Sequence, residues 1–323
     1  MIYSLLRWIA GIALHWFYSE IRVVGKEHIP SDGPLLIAVN HWNALVDSLI
    51  VGWLVPRRIT MTAKATLVDN AAIAILFRML NVVPLRRVSD EVDKPKPLDK
   101  ARNAGAFAEI IRVLRSSGTV LIFPEGKSHN EMRVEPLKSG LARVALKMRE
   151  ENPSSDLKIL PIGLVFENKS APGTGVDVHI GAPIELRELP EVDCLTLTTE
   201  IANRLRAASE AAPPIIQAAQ TKFREGVIAE VFISISAWWG KLTHRLPIQA
   251  ARRIAIKRSI AADEPATLTI MLGVGFTIIS YIIQLTVVGV ITRSFLVECL
   301  YLLSVLNGAY WAAFQNHRSD LSR

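Results

Sequence analysis

The stretch Ala38–Leu49 (AVNHWNALVDSL) places a histidine and an aspartate six positions apart, directly after an apolar run. A histidine can accept a proton at cellular pH and a carboxylate can hold its ring in one tautomer, so the pair is suited to general-base chemistry. On a regular helix, however, His41 and Asp47 would lie on different faces. They can meet only if His41 precedes a helix and Asp47 lies in its first turn, with Asn43 as a suitable N-cap. The alternative is that Asp47 complements the helix dipole and His41 is a surface loop residue.

A second stretch, Gly118–Asn130 (GTVLIFPEGKSHN), is again a buried-type strand that ends in polar residues. Its end has the Gly-Lys-Ser of a phosphate-binding P-loop. Leu121 occupies the place of that motif's first glycine, so the P-loop interpretation fails. What remains is Glu125 at the end of a strand, followed by Gly126 and Lys127. This set is suited to holding a polyol hydroxyl and to presenting backbone N–H groups to an anion.

Two more stretches supply candidates for binding. Leu80–Arg87 (LNVVPLRR) closes a predicted strand on Arg86 and Arg87. Paired arginines on a surface are usually solvated, but at the end of a strand they are suited to binding a phosphate. The stretch Leu160–Phe166 (LPIGLVF) is apolar, and its pattern fits core packing and acyl-chain packing equally well.

Short apolar runs alternate with helical periods from Gly25 to about Ile184. Strands are predicted at Leu35–Val39, Arg57–Thr62, Val82–Leu85, Thr119–Phe123, Lys158–Phe166 and Val176–Ile180. Helices are predicted at Ala44–Val55, Asn70–Leu80, Lys100–Arg115 and Ser139–Glu150. The charged stretch Ser89–Lys100 is predicted to be a solvent loop. This alternation predicts an α/β sheet with helices packed on it, and it places His41 where such sheets bind ligands.

Composition narrows the class of protein. Of the 323 residues 50% are apolar, a high share for a wholly soluble protein. The net charge of +7 comes mainly from one acid-free segment, Val231–Ala262, so a general nucleic-acid-binding surface is not expected. Cys194 and Cys299 are the only cysteines. Their separation predicts neither a disulfide framework nor a zinc site and favours a reducing compartment.

The sequence at both ends of the chain predicts association with a membrane. Residues 1–24 are predicted to form an N-terminal membrane-associating helix; a signal peptide is disfavoured because an A-x-A-like cleavage site is missing. Residues 216–264 are predicted to be a basic amphipathic segment on the membrane surface. In that segment Trp238 and Trp239 would lie at the headgroup level and the cations would meet anionic lipid.

Residues 265–323 are predicted to form a two-helix transmembrane hairpin with a short tail. Ala266–Thr292 lacks charge over 27 residues, which as a helix extends about 40 Å against a hydrocarbon core of roughly 30 Å. A second apolar run, Phe295–Phe314, follows after a short connector. The alternative is a pair of buried helices in a soluble core. The excess of cations on both flanks places the two ends of the hairpin in the cytoplasm.

The four stretches, in this order, resemble the glycerolipid acyltransferase superfamily. Its pattern is a histidine and an aspartate, an arginine-bearing block, FPEG, and a proline-bearing strand, and the resemblance covers roughly residues 20–185. The segment Pro136–Ala145 (PLKSGLARVA) also looks like the family's continuation after FPEG.

The sequence departs from the family pattern in two ways, one in spacing and one in charge. Five residues, Trp42–Val46, separate the histidine from the aspartate instead of the common four, as in some glycerol-3-phosphate and dihydroxyacetone-phosphate acyltransferases. The familiar FPEGTRS ending is FPEGKSH here, without its arginine.

The resemblance implies an α/β fold, with a mixed sheet flanked by helices over residues 25–215, and an O-acyltransferase activity. An acyl thioester, acyl-CoA or acyl carrier protein, would donate a fatty acyl group to glycerol-3-phosphate or lysophosphatidate in phospholipid synthesis. His41 would be the general base and Asp47 its partner. Glu125 would position a hydroxyl, and the backbone at Gly126 would stabilise the oxyanion. Cations for the acceptor phosphate would be Arg86, with Arg87, Lys64 or Lys127.

The implied chemistry needs no metal and no other cofactor, and no nucleophilic serine or cysteine, because the acceptor hydroxyl is itself the nucleophile. A G-x-S-x-G elbow is missing from the sequence, which disfavours a serine esterase. Expected partners are membrane lipids and the donor thioester, with no nucleic acid; the oligomeric state stays open. The alternatives are an acyltransferase for another lysolipid, such as a lyso-aminolipid, and a non-catalytic membrane scaffold.

Overall fold

The computed structural model describes residues 2–65, 82–85, 103–129, 131, 133–189, 191–210, 227–258 and 265–314. The strands are β1 (Glu20–Val24), β2 (Leu35–Val39), β3 (Ile59–Lys64), β4 (Val83–Leu85), β5 (Thr119–Ile122), β6 (Lys158–Phe166), β7 (Gly175–Ile180) and β8 (Ile184–Glu185). The helices are α1 (Ile2–Phe17), α2 (Ala44–Leu54), α3 (Ala104–Arg115), α4 (Gly140–Glu151), α5 (Cys194–Ser209), α6 (Val227–Arg258), α7 (Pro265–Thr292) and α8 (Phe295–Phe314).

The sheet is built around β2, which is buried along its whole length. β2 pairs in parallel with β5 on one side and with β6 on the other. β3 and β4 continue the parallel order beyond β5. On the far side β7 is antiparallel to β6, and β1 pairs with β7. The sheet is therefore mixed, in the order β1-β7-β6-β2-β5-β3-β4, with β8 paired to β6.

Helices cover both faces of this sheet. Because successive side chains of a strand point to opposite faces, Leu35, Ile37 and Val39 join a core formed with α1 and α2. Leu36 and Ala38 join a second core formed with α3, α4 and α5. A continuous apolar run is typical of a strand that is buried on both faces. The predicted α/β class, a mixed sheet flanked by helices, is confirmed.

The N-terminal segment differs from its prediction. The helix predicted for residues 1–24 ends at Phe17, and Glu20–Val24 forms the edge strand β1 instead. Arg22 of β1 donates to Asp177 of β7 through Nη2 at 3.0 Å. Since the partners are 155 residues apart in the chain, no local pattern shows this pairing.

Other predicted elements shift or fall elsewhere. The strand predicted at Arg57–Thr62 lies two residues later, at Ile59–Lys64. Helix α5 was not predicted, although it buries Leu197, Ile201 and Leu205 at helical spacing. The helix predicted at Asn70–Leu80 and the loop predicted at Ser89–Lys100 lie outside the described residues.

The C-terminal hairpin consists of α7 and α8, joined by Arg293 and Ser294. Both helices are long and apolar enough to cross a membrane, judged by length and composition. Tyr301 of α8 donates its hydroxyl to Oε1 of Gln284 of α7 at 2.7 Å, so α8 packs back along α7. The start of α7 belongs to the core formed with α1 and α2.

The segment that precedes the hairpin is one helix, α6, and it does not lie apart as a surface segment. His244 Nε2 lies 2.6 Å from the hydroxyl of Tyr281 of α7. A Cβ atom added to Gly240 would lie 2.0 Å from the carbonyl oxygen of Gly308 of α8, so the two backbones touch. Trp239 donates to Ser304 of α8, which leaves only Trp238 fully exposed, as expected for an interfacial ring.

Candidate active site

The histidine and the aspartate meet at the C-terminal end of β2. His41 lies two residues after the strand, and Asp47 lies in the first turn of α2. Nδ1 of His41 is 3.0 Å from Oδ2 of Asp47, and both side chains are buried. This contact has the geometry of an imidazole base and the carboxylate that orients it.

The strand end is fixed one residue before the histidine. The amide nitrogen of the Asn40 side chain donates to the carbonyl of Leu164 at 2.8 Å, and its oxygen accepts from the N–H of Leu164 at 2.7 Å. Leu164 belongs to β6, the neighbour of β2. Asn40 therefore continues the pairing of these two strands through its side chain and sets where the His41 loop leaves the sheet.

The start of α2 is held by side-chain contacts. The backbone N–H of Asn43 donates to Oδ2 of Asp47 at 2.8 Å. The expected capping by the Asn43 side chain is wrong, because that amide donates to Tyr18 and to the carbonyl of Lys169 instead. Ala44 has φ 45, in the left-handed region that residues with a Cβ rarely adopt. The helix thus begins under strain that the surrounding contacts maintain.

The ring of His41 stacks on Phe123, the residue after β5. The ring centroids are 3.9 Å apart and the planes differ by 15°. Within the described part of the chain, Nε2 of His41 has no hydrogen-bond partner. The stack and the Asp47 contact therefore fix the imidazole while they leave Nε2 available to accept a proton.

Glu125 is placed as an internal support. Its Oε1 accepts the backbone N–H of His41 at 2.8 Å. Its Oε2 accepts the N–H of Glu135 at 2.8 Å and contacts Nε2 of His129. The carboxylate side chain is fully buried. In this structure the carboxylate positions the backbone of His41, and a contact between Glu125 and a substrate hydroxyl stays a prediction.

Gly126 and Lys127 follow Glu125 and have different surroundings. The N–H of Gly126 donates to the carbonyl of Phe123 at 3.1 Å, so it closes a turn. This turn requires φ 81, which favours glycine. The Lys127 side chain is 59% exposed and its Nζ lies 3.5 Å from the Glu135 carboxylate. Lys127 is thus a surface residue, outside the buried contacts around His41.

Sequence reasoning missed Lys169, which follows β6. Its Nζ donates to the carbonyl of Trp42 at 2.6 Å and to that of His129 at 3.1 Å. Its own carbonyl accepts from Tyr18, whose burial, together with the negative charge of Asp47, raises its pKa well above the usual value. Tyr18 therefore stays protonated and able to donate. Lys169 joins the loop after β2 to the loop after β5. The loop after β2 lies more than a hundred residues earlier in the sequence.

The remaining candidate cations lie at the neighbouring strands. Lys64 is the last residue of β3 and is half-buried. β3 and β2 are both parallel to β5, so Lys64 lies on the same edge of the sheet as His41. Arg86 and Arg87 directly follow β4 in sequence but lie outside the described residues. Among the residues that the structure describes, no three His, Cys, Asp or Glu side chains are grouped as metal ligands.

Replacing Lys169 with methionine is expected to lower kcat of the acyltransferase reaction by about 10- to 100-fold, since small misplacement of a catalytic group is costly. The methionine keeps the length of the side chain but removes both donors to the two loops. Lys169→Arg should recover part of the loss, and KM for both substrates should change little. Lys147→Met, on the surface of α4, is the matched control. A kcat for Lys169→Met equal to that of the control would contradict a positioning role.

Parts of this chain are similar to known proteins. Residues 20–165 match the family model described as Acyltransferase. Glycerol-3-phosphate O-acyltransferase 1 of Saccharomyces cerevisiae is 23% identical over 58% of this chain and 35% of its own length. The 1-acyl-sn-glycerol-3-phosphate acyltransferase of Borreliella burgdorferi is 27% identical over 61% of this chain and 72% of its own. The crystal structure of the lysophosphatidate acyltransferase PlsC from Thermotoga maritima superposes with a TM-score of 0.49 and 21% identity, over 65% of this chain and 79% of that one.

The family match includes the loops after β2 and β5, in which His41 and Glu125 lie, and the first turn of α2, which carries Asp47. Residues 20–165 thus match an acyltransferase domain, and the similarity to the yeast and Borreliella acyltransferases supports the glycerolipid acyltransferase superfamily. The chain spans about a third of the length of its yeast relative.

Proposed function

We propose that this protein transfers a fatty acyl group from an acyl thioester to a hydroxyl of a glycerol-phosphate-type acceptor, glycerol-3-phosphate or lysophosphatidate. The observation that carries the proposal is the buried contact between His41 and Asp47, with Nε2 of the imidazole left without a partner in the described residues. The activities for which the yeast and Borreliella relatives are named support the choice of acceptor.

The reaction follows from that contact. An alcohol attacks a thioester well only if its proton leaves during the attack, and Nε2 of His41 is the group that takes it. As the acceptor oxygen bonds to the carbonyl carbon, the imidazole becomes positively charged, and the Asp47 carboxylate stabilises it. The C–S bond then breaks, and the departing thiolate takes the proton from Nε2. The products are an acyl ester and a free thiol, and His41 is restored.

The phosphate of the acceptor is the proposed ligand of Arg86, and Arg87 and Lys64 are the further candidate cations. Arginine forms paired hydrogen bonds with phosphate oxygens, whereas lysine contributes a single charged group. Lys64 supports this assignment through its place at the end of β3, on the same edge of the sheet as His41. Lys127 contributes less, because it is exposed and near Glu135.

The test is a substrate panel with purified full-length protein in lipid vesicles. Acyl-CoA and acyl carrier protein thioesters are each offered with glycerol-3-phosphate, lysophosphatidate and a set of other lysolipids, including a lyso-aminolipid, and the products are weighed. We expect acylation of one or both phosphate-bearing glycerol acceptors. A product formed only from another lysolipid would overturn the acceptor assignment, and no acyl transfer to any acceptor would overturn the proposed reaction.

Arg86→Ala is expected to raise KM for the phosphate-bearing acceptor by about 10-fold or more, the loss expected for a charge-assisted hydrogen bond. KM for the thioester should change much less, since the proposed contact is with the acceptor alone. Arg187→Ala, an exposed arginine beside β8, serves as the control. Equal increases in KM for both substrates would assign Arg86 to structure or to the donor's phosphates.

A location at the membrane belongs to the same proposal, since a lysolipid acceptor or its product stays in the bilayer. The exposed apolar side chains of α7 and α8 support contact with lipid. We propose that the catalytic domain faces the cytoplasm. The cations before and after the hairpin support this location, because the cytoplasmic leaflet carries anionic lipid that attracts basic segments. They are Arg252, Arg253, Lys257 and Arg258 on one side and Arg318 and Arg323 on the other.

A further inference from the structure

Helices α6, α7 and α8 and their connections carry charged residues at two levels along the bundle. The distance between these two levels does not match the thickness of a membrane. α7 has 28 residues and extends about 42 Å, long enough to cross the hydrocarbon core. The turn of the hairpin carries Arg293, which is exposed. If α7 crossed the bilayer, Arg293 would reach the far headgroups and Pro265 would lie at the near ones. Residues that contact the middle of α7 would then lie in hydrocarbon.

Helix α6 contacts the hairpin at that middle level. Tyr281, the partner of His244, lies sixteen residues after the start of α7 and eleven before its end. Close by, Gly240 of α6 touches Gly308 of α8. The contacts hold α6 tightly, because neither glycine has room for a side chain. The neighbours of these two α6 residues must therefore share the depth of Tyr281.

Those neighbours are cations. Lys241 and Arg245 flank the contact residues Gly240 and His244, and both are exposed. In a spanning hairpin they would lie near the centre of the bilayer, where a charged side chain is strongly disfavoured. From Tyr281 to the end of α7 is only about 17 Å, little more than half of the roughly 30 Å hydrocarbon core. Lys241 and Arg245, at the level of Tyr281, are thus too close to Arg293 for the two levels to lie in opposite headgroup layers.

The exposed face of α6 is suited to a different placement. Most of its exposed apolar residues recur at helical spacing and form one stripe, and Phe232 is exposed outside it. The stripe consists of Val231, Ile235, Trp238, Leu242, Leu246 and Ile256. Lys241, Arg245 and Arg252, spaced by four and seven residues, form a line along one edge of that stripe. An apolar stripe with a tryptophan, edged by cations, is typical of a helix that lies in the interfacial plane.

We infer that α6, α7 and α8 form a bundle that lies along one leaflet and does not cross the bilayer. The apolar faces enter the acyl region of that leaflet, and Lys241, Arg245 and Arg293 all reach the headgroups of the same surface. The partner of this surface is a lipid leaflet that contains anionic headgroups. The turn of the hairpin then lies on the same side of the membrane as the catalytic domain. This inference rests on the proposed membrane location but not on acyl transfer.

The experiment is cysteine labelling of full-length protein in sealed vesicles of phosphatidylcholine and phosphatidylglycerol. In a Cys194→Ser/Cys299→Ser background, Thr292→Cys reports the turn, and Leu296→Cys reports it from the start of α8. Ser154→Cys, exposed in the catalytic domain, is the matched control. Each variant is treated with a membrane-impermeant maleimide before and after the vesicles are permeabilised.

We expect the turn cysteines and Ser154→Cys to react to the same extent before permeabilisation. If the turn cysteines react only in the fraction of molecules in which Ser154→Cys is protected, the hairpin spans and the inference is overturned. Labelling does not depend on catalysis. A protein that fails every acyl-transfer assay yet shows its turn on the catalytic side would contradict the proposed function and leave this inference standing.

Discussion

His41→Ala is expected to lower kcat/KM for acyl transfer by at least about 10²–10⁴-fold, the contribution typical of a positioned general base. In the proposed reaction Nε2 of His41 takes the proton of the acceptor hydroxyl, and no other described imidazole has this position. His129 lies nearby, but its Nε2 contacts the Glu125 carboxylate and its Nδ1 is buried. Alanine therefore leaves the acceptor hydroxyl with only water as a base.

The measurement is the initial rate with the preferred acceptor, together with a thermal unfolding curve. Alanine removes the stack on Phe123 and the contact with Asp47 but leaves the backbone N–H that Glu125 holds. The fold should thus survive. His28→Ala is the matched control, since His28 contacts the carbonyl of Ile180, away from the site. A folded His41→Ala protein that turns over at a rate near that of the control would exclude His41 as the base.

Much of the sheet and the meeting of its loops could be predicted from the sequence. β2, β5 and β6 are buried on both faces, and a strand of that kind is a continuous apolar run with sharp ends. The polar residues that follow such runs lie on one edge of a parallel sheet. This is why His41 and Glu125, 84 positions apart in sequence, could be assigned to one site before any contact was known.

The elements that were missed depend on distant partners. β1 is an edge strand whose half-exposed residues carry no continuous apolar signal, and its arginine is satisfied by a residue on β7. The neighbouring helix α1 is apolar up to Phe17, so the pattern gives no sharp boundary before β1. Helix α5 did carry a local signal, because Asp193 caps it by accepting from the N–H of Thr196. A cap followed by residues at helical spacing would have found it.

The direction in which a polar side chain points could not be predicted. Glu125 and Lys127 follow the same strand, yet the carboxylate turns inward to the backbone of His41 and the lysine turns outward to solvent. Lys169 has no sequence signal at all. Its function depends on carbonyl oxygens, which every residue has, so neither its partners nor their positions leave a trace in the residue types.

The Asp47 carboxylate uses its two oxygens unequally. Oδ2 accepts from the N–H of Asn43 at 2.8 Å and contacts Nδ1 of His41 at 3.0 Å. Oδ1 is buried and has no hydrogen-bond partner among the described residues. In Asp47→Asn, the N–H of Asn43 repels the amide NH₂ and selects the orientation with the carbonyl oxygen in the place of Oδ2. That oxygen can accept both hydrogen bonds, so the imidazole keeps its tautomer and only the negative charge is lost.

Asp47→Asn is therefore expected to lower kcat by up to about 30-fold, because a charged acceptor stabilises a positive partner by roughly 1.5–3 kcal/mol while a neutral one contributes about 1. Asp47→Ala should lose considerably more activity, since it also frees the His41 ring to rotate and change tautomer.

The melting temperature of the Asn variant should equal or exceed that of the native protein, because an uncharged amide is cheaper to bury than a carboxylate with one unpaired oxygen. The two variants are compared by single-turnover rates and by thermal unfolding. If Asn and Ala lose the same activity, the amide orientation argued here is wrong, and if Asn keeps near-native kcat, the charge of Asp47 does not act on the reaction.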